Sequence, residues 1–533
     1  MRYLFSLASL CATFSLFAAE PLVIHEWGTF TSLQDETGRT IGGLNVDEEP
    51  LPDFIHDLSP IGIDHHGELS AGLDFFSKGV ARGDPTVTMR LETPVVYVHL
   101  PPGQKSATFD LAVEFRGGFL SQFYPMAQPT VNDRPLRWYD KEYSNTVEGK
   151  ITTYNVREIQ VQNEAASQQP IWSRWNAPSL SSSTTSSLAW RGITVGGSDS
   201  APETASPVWL APRKVDAANL TVGNEHERYL FYRGLGHLDA PLKTTRSADG
   251  ATLTVSARPE AQASNWMPGY VPTLWFADLR ADGTAAFRTI SVTGLYPTHP
   301  DKSSDVSRTF SATFGSEDFS AERLRLLRQE LHADLVQSGL FADEAQALLT
   351  TWEASYFKAP GQRLFFLVPP AWTDHVLPLT ISTPAKVTRA MMGRIELVSP
   401  MQRQALTRIA NGPVSTRDWF DQFVKEHIGY VHDEKYIDRP GGSELQKRLF
   451  ITHEQGVFAQ LKVPAPADYQ AYLALGRFRD ALLWETQNRT PSPELARFLR
   501  TYVVGAYGYM LLQDWQKKIL PDKPATTAAT KAP

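Results

Sequence analysis

An alternation of apolar and polar residues with a period of two, interrupted by turn residues, runs from about residue 21 to about residue 315. Such a pattern can bury one of its faces only as sheet, because successive side chains of a strand point opposite ways. VTMRLETPVVYVHL (87–100), ATFDLAVEF (107–115), KITTYNVREIQVQ (150–162), RYLFYRG (228–234), TLTVSA (252–257) and TAAFRTISVTG (284–294) carry it. Asp-Gly pairs at 249–250 and 282–283 stand where hairpin turns belong. So many short strands predict one or two antiparallel sandwich-like domains over 20–315. The runs SLSSSTTSS (179–187) and 196–207 are expected to be loops or linkers.

The period changes near residue 316. SEDFSAERLRLLRQELHADLVQSGL places apolar residues at 324, 326, 327, 331 and 335, one face of a helix, with Ser320 as N-cap and Gly339 as stop. FADEAQALLTTWEASYF (341–357) reads as its antiparallel partner. Strand-like sequence returns over 363–399, so 316–400 is expected to be a helical hairpin with a small β unit. From 401 to 520 the pattern is helical, with segments at 400–411, 415–427, 443–460, 466–488 and 492–517, and 521–533 is expected to be a disordered tail. The fold class is therefore α+β and multi-domain: β-sandwich-like in its N-terminal two-thirds, helical at its C-terminal end.

Residues 1–19, MRYLFSLASLCATFSLFAA, have the form of a bacterial signal peptide cleaved near Ala19, which predicts a periplasmic or secreted protein. Glu20 ends the apolar run short of a membrane span, and TYVVGAYGYMLL (501–512) is also too short, so no span is expected after signal removal. The single cysteine, Cys11, lies in that leader. A mature chain without thiols excludes disulfides, thiolate nucleophiles, Cys-ligated zinc and iron–sulfur clusters. A net charge of −7 offers no basic field for nucleic acid.

Within PLVIHEWGTFTS, strand geometry places Glu26 on the apolar face of Leu22, Ile24 and Phe30, and His25 on the other with Trp27 and Thr29. A buried carboxylate needs a cation or donors. Glu26 beside His25 is thus a candidate general acid or metal ligand; a structural group paired with an internal arginine is the simpler reading. The pair is not an HExxH site, because position 29 is Thr29. Arg90 and Glu92 in MRLETPVV share a strand face that Val96 and Val98 are expected to continue, Arg394 and Glu396 repeat the R-x-E spacing, and Arg233 follows YLFY. These five are candidates for a pocket holding an oxygen-rich ligand, or for an ionic network between sheets.

The loop 45–68, NVDEEPLPDFIHDLSPIGIDHHGE, offers His56, Asp64, His65 and His66 among further acids, a set suited to a divalent metal; a solvated acidic loop is the simpler alternative. A weaker cluster is His427, His432, Asp433 and Glu434. No nucleophile elbow, P-loop or dinucleotide fingerprint is present. Trp172, Trp175, Trp190 and Trp209 are either sugar-stacking platforms or core packing.

The string HEWGTFT (25–31), together with RLETPVVYVHL, FYRGLG, TLWFADLR and LPLTISTPAKVTRAMMGRIELV, resembles a family of large, uncharacterised secreted bacterial proteins. The resemblance spans roughly 22–400; it implies a secreted chain and no particular activity, cofactor or catalytic residue. Two functions stand at this point. One is a non-enzymatic binding or structural role in the cell envelope, toward carbohydrate or another envelope component. The other is a metal-assisted hydrolase using loop 45–68 with His25 and Glu26.

Overall fold

In the computed structural model the described residues are 20–46, 51–52, 54–58, 76–147, 150–161, 180–197, 200–258, 271–292, 307–428, 458 and 462–502. Five strands form the middle of a nine-stranded sheet and are numbered in chain order: β1 (Leu22–Gln34), β2 (Met89–His99), β3 (Leu230–Gly236), β4 (Gly361–Leu367) and β5 (Ala385–Leu397). Their spatial order is β4-β5-β1-β2-β3. Strands Thr273–Leu279 and Ala285–Ser291 extend the sheet beyond β4, and Gly118–Tyr124 and His56–Asp57 extend it beyond β3. All neighbours run antiparallel except β1 and β5, which are parallel, with Leu22 opposite Ala385. The most N-terminal described strand is thus the centre of the sheet, and strands from the 361–397 region join it directly.

A second, eight-stranded sheet contains Ala107–Arg116, Gln128–Val131, Arg134–Val147, Lys150–Val161 and Thr185–Val195, with Leu379–Ile381 at one side. The Asp-Gly turns lie where expected: 249–250 joins Leu242–Arg246 to Thr252–Ala257, and 282–283 joins the outer strands of the large sheet. Two apolar clusters occupy the two faces of the large sheet. Ile24, Phe30, Leu91, Val96 and Val98 belong to one. Trp27, Val95 and Tyr97 belong to the other, together with Leu327, Leu331 and Leu348 of a helical hairpin.

That hairpin is α1 (Ala321–Gln337) and α2 (Ala342–Thr351), capped by Ser320, whose side chain accepts the Arg323 N–H at 3.1 Å. Gly339 follows α1 at φ +108°, a left-handed backbone that glycine adopts without a Cβ clash. A π-helical turn, Ala354–Lys358, continues α2. Helices Pro400–Asn411, Arg417–Ile428, Ala467–Leu473, Arg479–Arg489 and Pro493–Tyr502 make up the C-terminal part. The helix expected over 466–488 is two helices, separated by a turn at Gly476 with φ +77°. No helix among the described residues is long and apolar enough to cross a membrane.

Two further sequence expectations change. Arg90 and Glu92 do not share a face with Val96 and Val98. A bulge at Thr93-Pro94, with Thr93 at φ +43°, shifts the register so that Trp27 pairs Val95 while Thr29 pairs Glu92. One extra residue reverses the side-chain parity. Gly28 stands opposite, where an added Cβ would come within 3.0 Å of Pro94. The serine-rich run is not wholly a linker either. A strand starts at Thr185, and the buried Ser186 hydroxyl donates to Gly118 O at 3.0 Å and accepts the Leu120 N–H at 2.8 Å.

Candidate metal centre

Alternation along β1 aims His25 at the sheet face covered by the helical hairpin. In the antiparallel neighbour β2, Tyr97 lies opposite His25 and His99 lies opposite Val23, so both imidazoles share that face, with ring centroids 5.2 Å apart. The third group comes from the start of α2. After Gly339 the chain turns, Leu340 is buried, and Glu344 reaches back from the first helical turn to accept the Phe341 N–H at 2.7 Å. This half of a capping box fixes the carboxylate at the helix N-terminus and turns it toward the sheet.

Glu344 Oε2 lies 2.7 Å from His25 Nδ1, and Oε1 lies 2.9 Å from His99 Nε2. The three ligand atoms are within 4.8 Å of one another, and among the described residues no other group of three or more His, Cys, Asp or Glu is so disposed. Two imidazoles and a carboxylate suit zinc or manganese. Burial by itself would raise the Glu344 pKa, but the bonds from His25, His99 and the Phe341 amide outweigh it and hold the carboxyl below its ordinary value. It is therefore ionised at neutral pH. Burial, reinforced by Glu344, pushes the Tyr97 phenol well above its ordinary value. Tyr97 stays neutral and donates to Pro212 O at 3.0 Å.

Glu344 is fully buried, whereas the His99 side chain is 14% exposed. His99 opens onto a cleft of about 580 Å³ lined by Leu100, Asp216, Ala217, Ala218, Phe341 and Asp343 besides itself. The Phe341 ring, 46% exposed, packs on His25 at 4.6 Å and on His99 at 4.8 Å between centroids.

Glu26 takes no part in this centre, because the next residue of a strand faces the other way. It accepts from Tyr232 Oη and from Arg389 Nε, each at 2.5 Å, and Arg389 Nη1 donates onward to Asp374 at 2.8 Å. Glu26 is thus an ion-paired group with an internal arginine. His56 does not join His25 either: it bonds Glu225 at 2.8 and 3.0 Å on an outer strand of the sheet. Asp64, His65 and His66 lie outside the described residues, as do His432, Asp433 and Glu434. Trp190 and Trp209 are core residues, donating from their indoles to Pro125 O and Glu227 at 2.8 and 2.7 Å, while Trp172 and Trp175 lie outside the described residues.

The R-x-E pairs do come together, at the opposite end of the same sheet face. Glu92 meets Arg90 at 3.0 Å, Arg394 at 3.3 Å and Arg477 at 3.5 Å, and accepts from Thr31 at 2.8 Å. Glu396 lies 3.5 Å from Arg394 and 3.4 Å from Arg363. Arg233 donates to Thr93 at 2.8 Å, with its guanidinium over the Trp352 ring. Burial would raise the Glu92 pKa, yet Arg90, Arg394 and Lys78 with the Thr31 hydroxyl hold it below its ordinary value.

Sequence reasoning found His25 and missed His99 and Glu344. His99 carried a signal, since it ends the VTMRLETPVVYVHL strand at the parity of Tyr97. Glu344 carried a fainter one, as the acidic residue three beyond the start of a predicted helix. No family model matches this chain, and no curated protein is significantly similar to it.

Proposed function

We propose that this chain is an exported, metal-assisted hydrolase whose centre is His25, His99 and Glu344. The observation that carries the reading is one ionised carboxylate shared between imidazoles of adjacent strands at 2.7 and 2.9 Å, beside a cleft. His25, His99 and Glu344 would hold an ion through three protein ligands, the number found in catalytic rather than structural zinc sites. A divalent ion held there supplies Lewis acidity and an activated water. The chain's own residues orient the site. The Phe341 amide fixes Glu344, and the Phe341 ring packs against both imidazoles. Export rests on the form of residues 1–19 and on the family resemblance over 22–400.

A second reading, a non-enzymatic envelope role toward carbohydrate or another envelope component, has one observation in its favour. Glu344 already holds three donors, so the triad also works as a clamp joining the helical hairpin to the sheet. Elemental analysis separates the two. Protein stripped with chelator and dialysed against zinc or manganese is expected to retain about one ion per chain, and His99→Ala to retain none while melting cooperatively. Wild-type protein that melts cooperatively but holds no stoichiometric ion leaves the clamp.

A further inference from the structure

Resting on that metal centre, we propose that the cleft beside His99 admits amides or esters bearing an ammonium group and turns away phosphate and sulfate esters. The charged groups lining it are Asp216 and Asp343, and its one basic side chain, His99, is committed to Glu344 or, in the loaded centre, to the ion. Asp343 cannot swing away. Its Oδ2 accepts the Asp216 N–H at 2.8 Å and its Oδ1 accepts the Glu344 N–H at 3.0 Å. Those bonds also occupy three amide donors beside the cleft: the Phe341 amide is taken by Glu344, and the Glu344 and Asp216 amides by Asp343. An anionic group entering here meets two carboxylates and no spare amide from these three residues. An ammonium group meets two acceptors.

The rest of the wall is apolar. Leu100, Ala217 and Ala218 leave room, and the half-exposed Phe341 ring offers a face to an acyl chain next to both imidazoles. The reaction needs only water. Its oxygen bonds to the acyl carbon, the C–N or C–O bond breaks, and one proton passes to the leaving amine or alcohol, giving a carboxylic acid that releases its own proton to solvent.

Three hydroxamates, each able to chelate the ion, test the charge preference on zinc-loaded full-length protein: alanine hydroxamate (cationic), acetohydroxamate (neutral) and succinic monohydroxamate (anionic). Calorimetry at low salt is expected to find the cationic probe roughly tenfold tighter than the anionic one, a gap that added salt narrows. Asp216→Asn, at an exposed position, is expected to shrink the gap several-fold with one ion still bound, and Asp343→Asn to shrink it similarly. An anionic probe binding as tightly as the cationic one, or a gap indifferent to both substitutions, overturns the substrate class while leaving the centre standing. Failure of the wild-type protein to take up an ion overturns the centre and this inference with it.

Discussion

Two polar clusters lie on one face of the central sheet, roughly 20 Å apart along β1 at the rise of an extended strand, and they differ in kind. At the His25 end one carboxylate serves two imidazoles beside a cleft. At the Thr31 end Glu92 and Glu396 are locked among arginines, with Arg90, Arg394 and Arg363 all at most 2% exposed. A guanidinium stays charged and does not bind metal ions, so the second cluster can fix geometry but not exchange ligands. Imidazole with carboxylate can do both. Charge density alone does not mark a site; titratable ligands next to accessible space do.

Substitutions break or sharpen that contrast. The largest effect is expected for Glu92→Gln, which leaves buried arginines without their shared anion and costs about 3–5 kcal/mol in denaturant unfolding, with ion content unchanged. Next, zinc at a hundred times its dissociation constant should stabilise wild-type protein by about 2.7 kcal/mol, and His99→Ala or Glu344→Gln protein not at all; equal shifts in thermal melting would erase the distinction between the clusters. Glu344→Gln in the absence of metal should cost about 1–3 kcal/mol through weakened bonds to its three donors, a larger loss than for His99→Ala.

Acid supplies a fourth test. Glu92 and Glu344 both have folded pKa values below the ordinary 4.5, so the stability they contribute is present above 4.5 and disappears as pH falls through the folded values. The gap between wild type and Glu92→Gln should therefore narrow when denaturation is repeated at pH 3 instead of pH 7. Smallest is His56→Ala, whose partly exposed pair with Glu225 is worth about 1 kcal/mol or less and whose loss should leave ion content intact.

Local pattern was readable in the sequence, and long-range pairing was not. Alternation and turn residues marked β1, β2, β3 and the two Asp-Gly hairpins, and helical periodicity with Ser320 and Gly339 marked α1. The faces of His25 and Glu26 followed from parity alone. Parity failed at Thr93-Pro94, because a bulge is specified by its partner strand at Gly28 as much as by its own residues. The serine-rich run misled because Ser186 replaces lost solvent bonds with backbone groups of another strand. That Glu26 would meet an arginine was a fair expectation, but choosing Arg389, 363 residues away, required the parallel register of β5. Glu344 stands 319 residues from His25, and no periodicity spans that distance.

The parallel pairing of β1 with β5 also sets a timetable. At ~5–20 residues per second of synthesis, Leu22–Gln34 exists for roughly tens of seconds before Ala385–Leu397 is made. Until then one edge of β1 has no native neighbour, so β1, β2 and β3 with Gly118–Tyr124 and His56–Asp57 form an open partial sheet whose β1 edge is covered only from the C-terminal side. Folding is thereby a late event with high contact order, slow once it begins. A truncation before residue 385 would therefore leave the strand bearing His25 with one bare, unpaired edge, open to pairing with another chain.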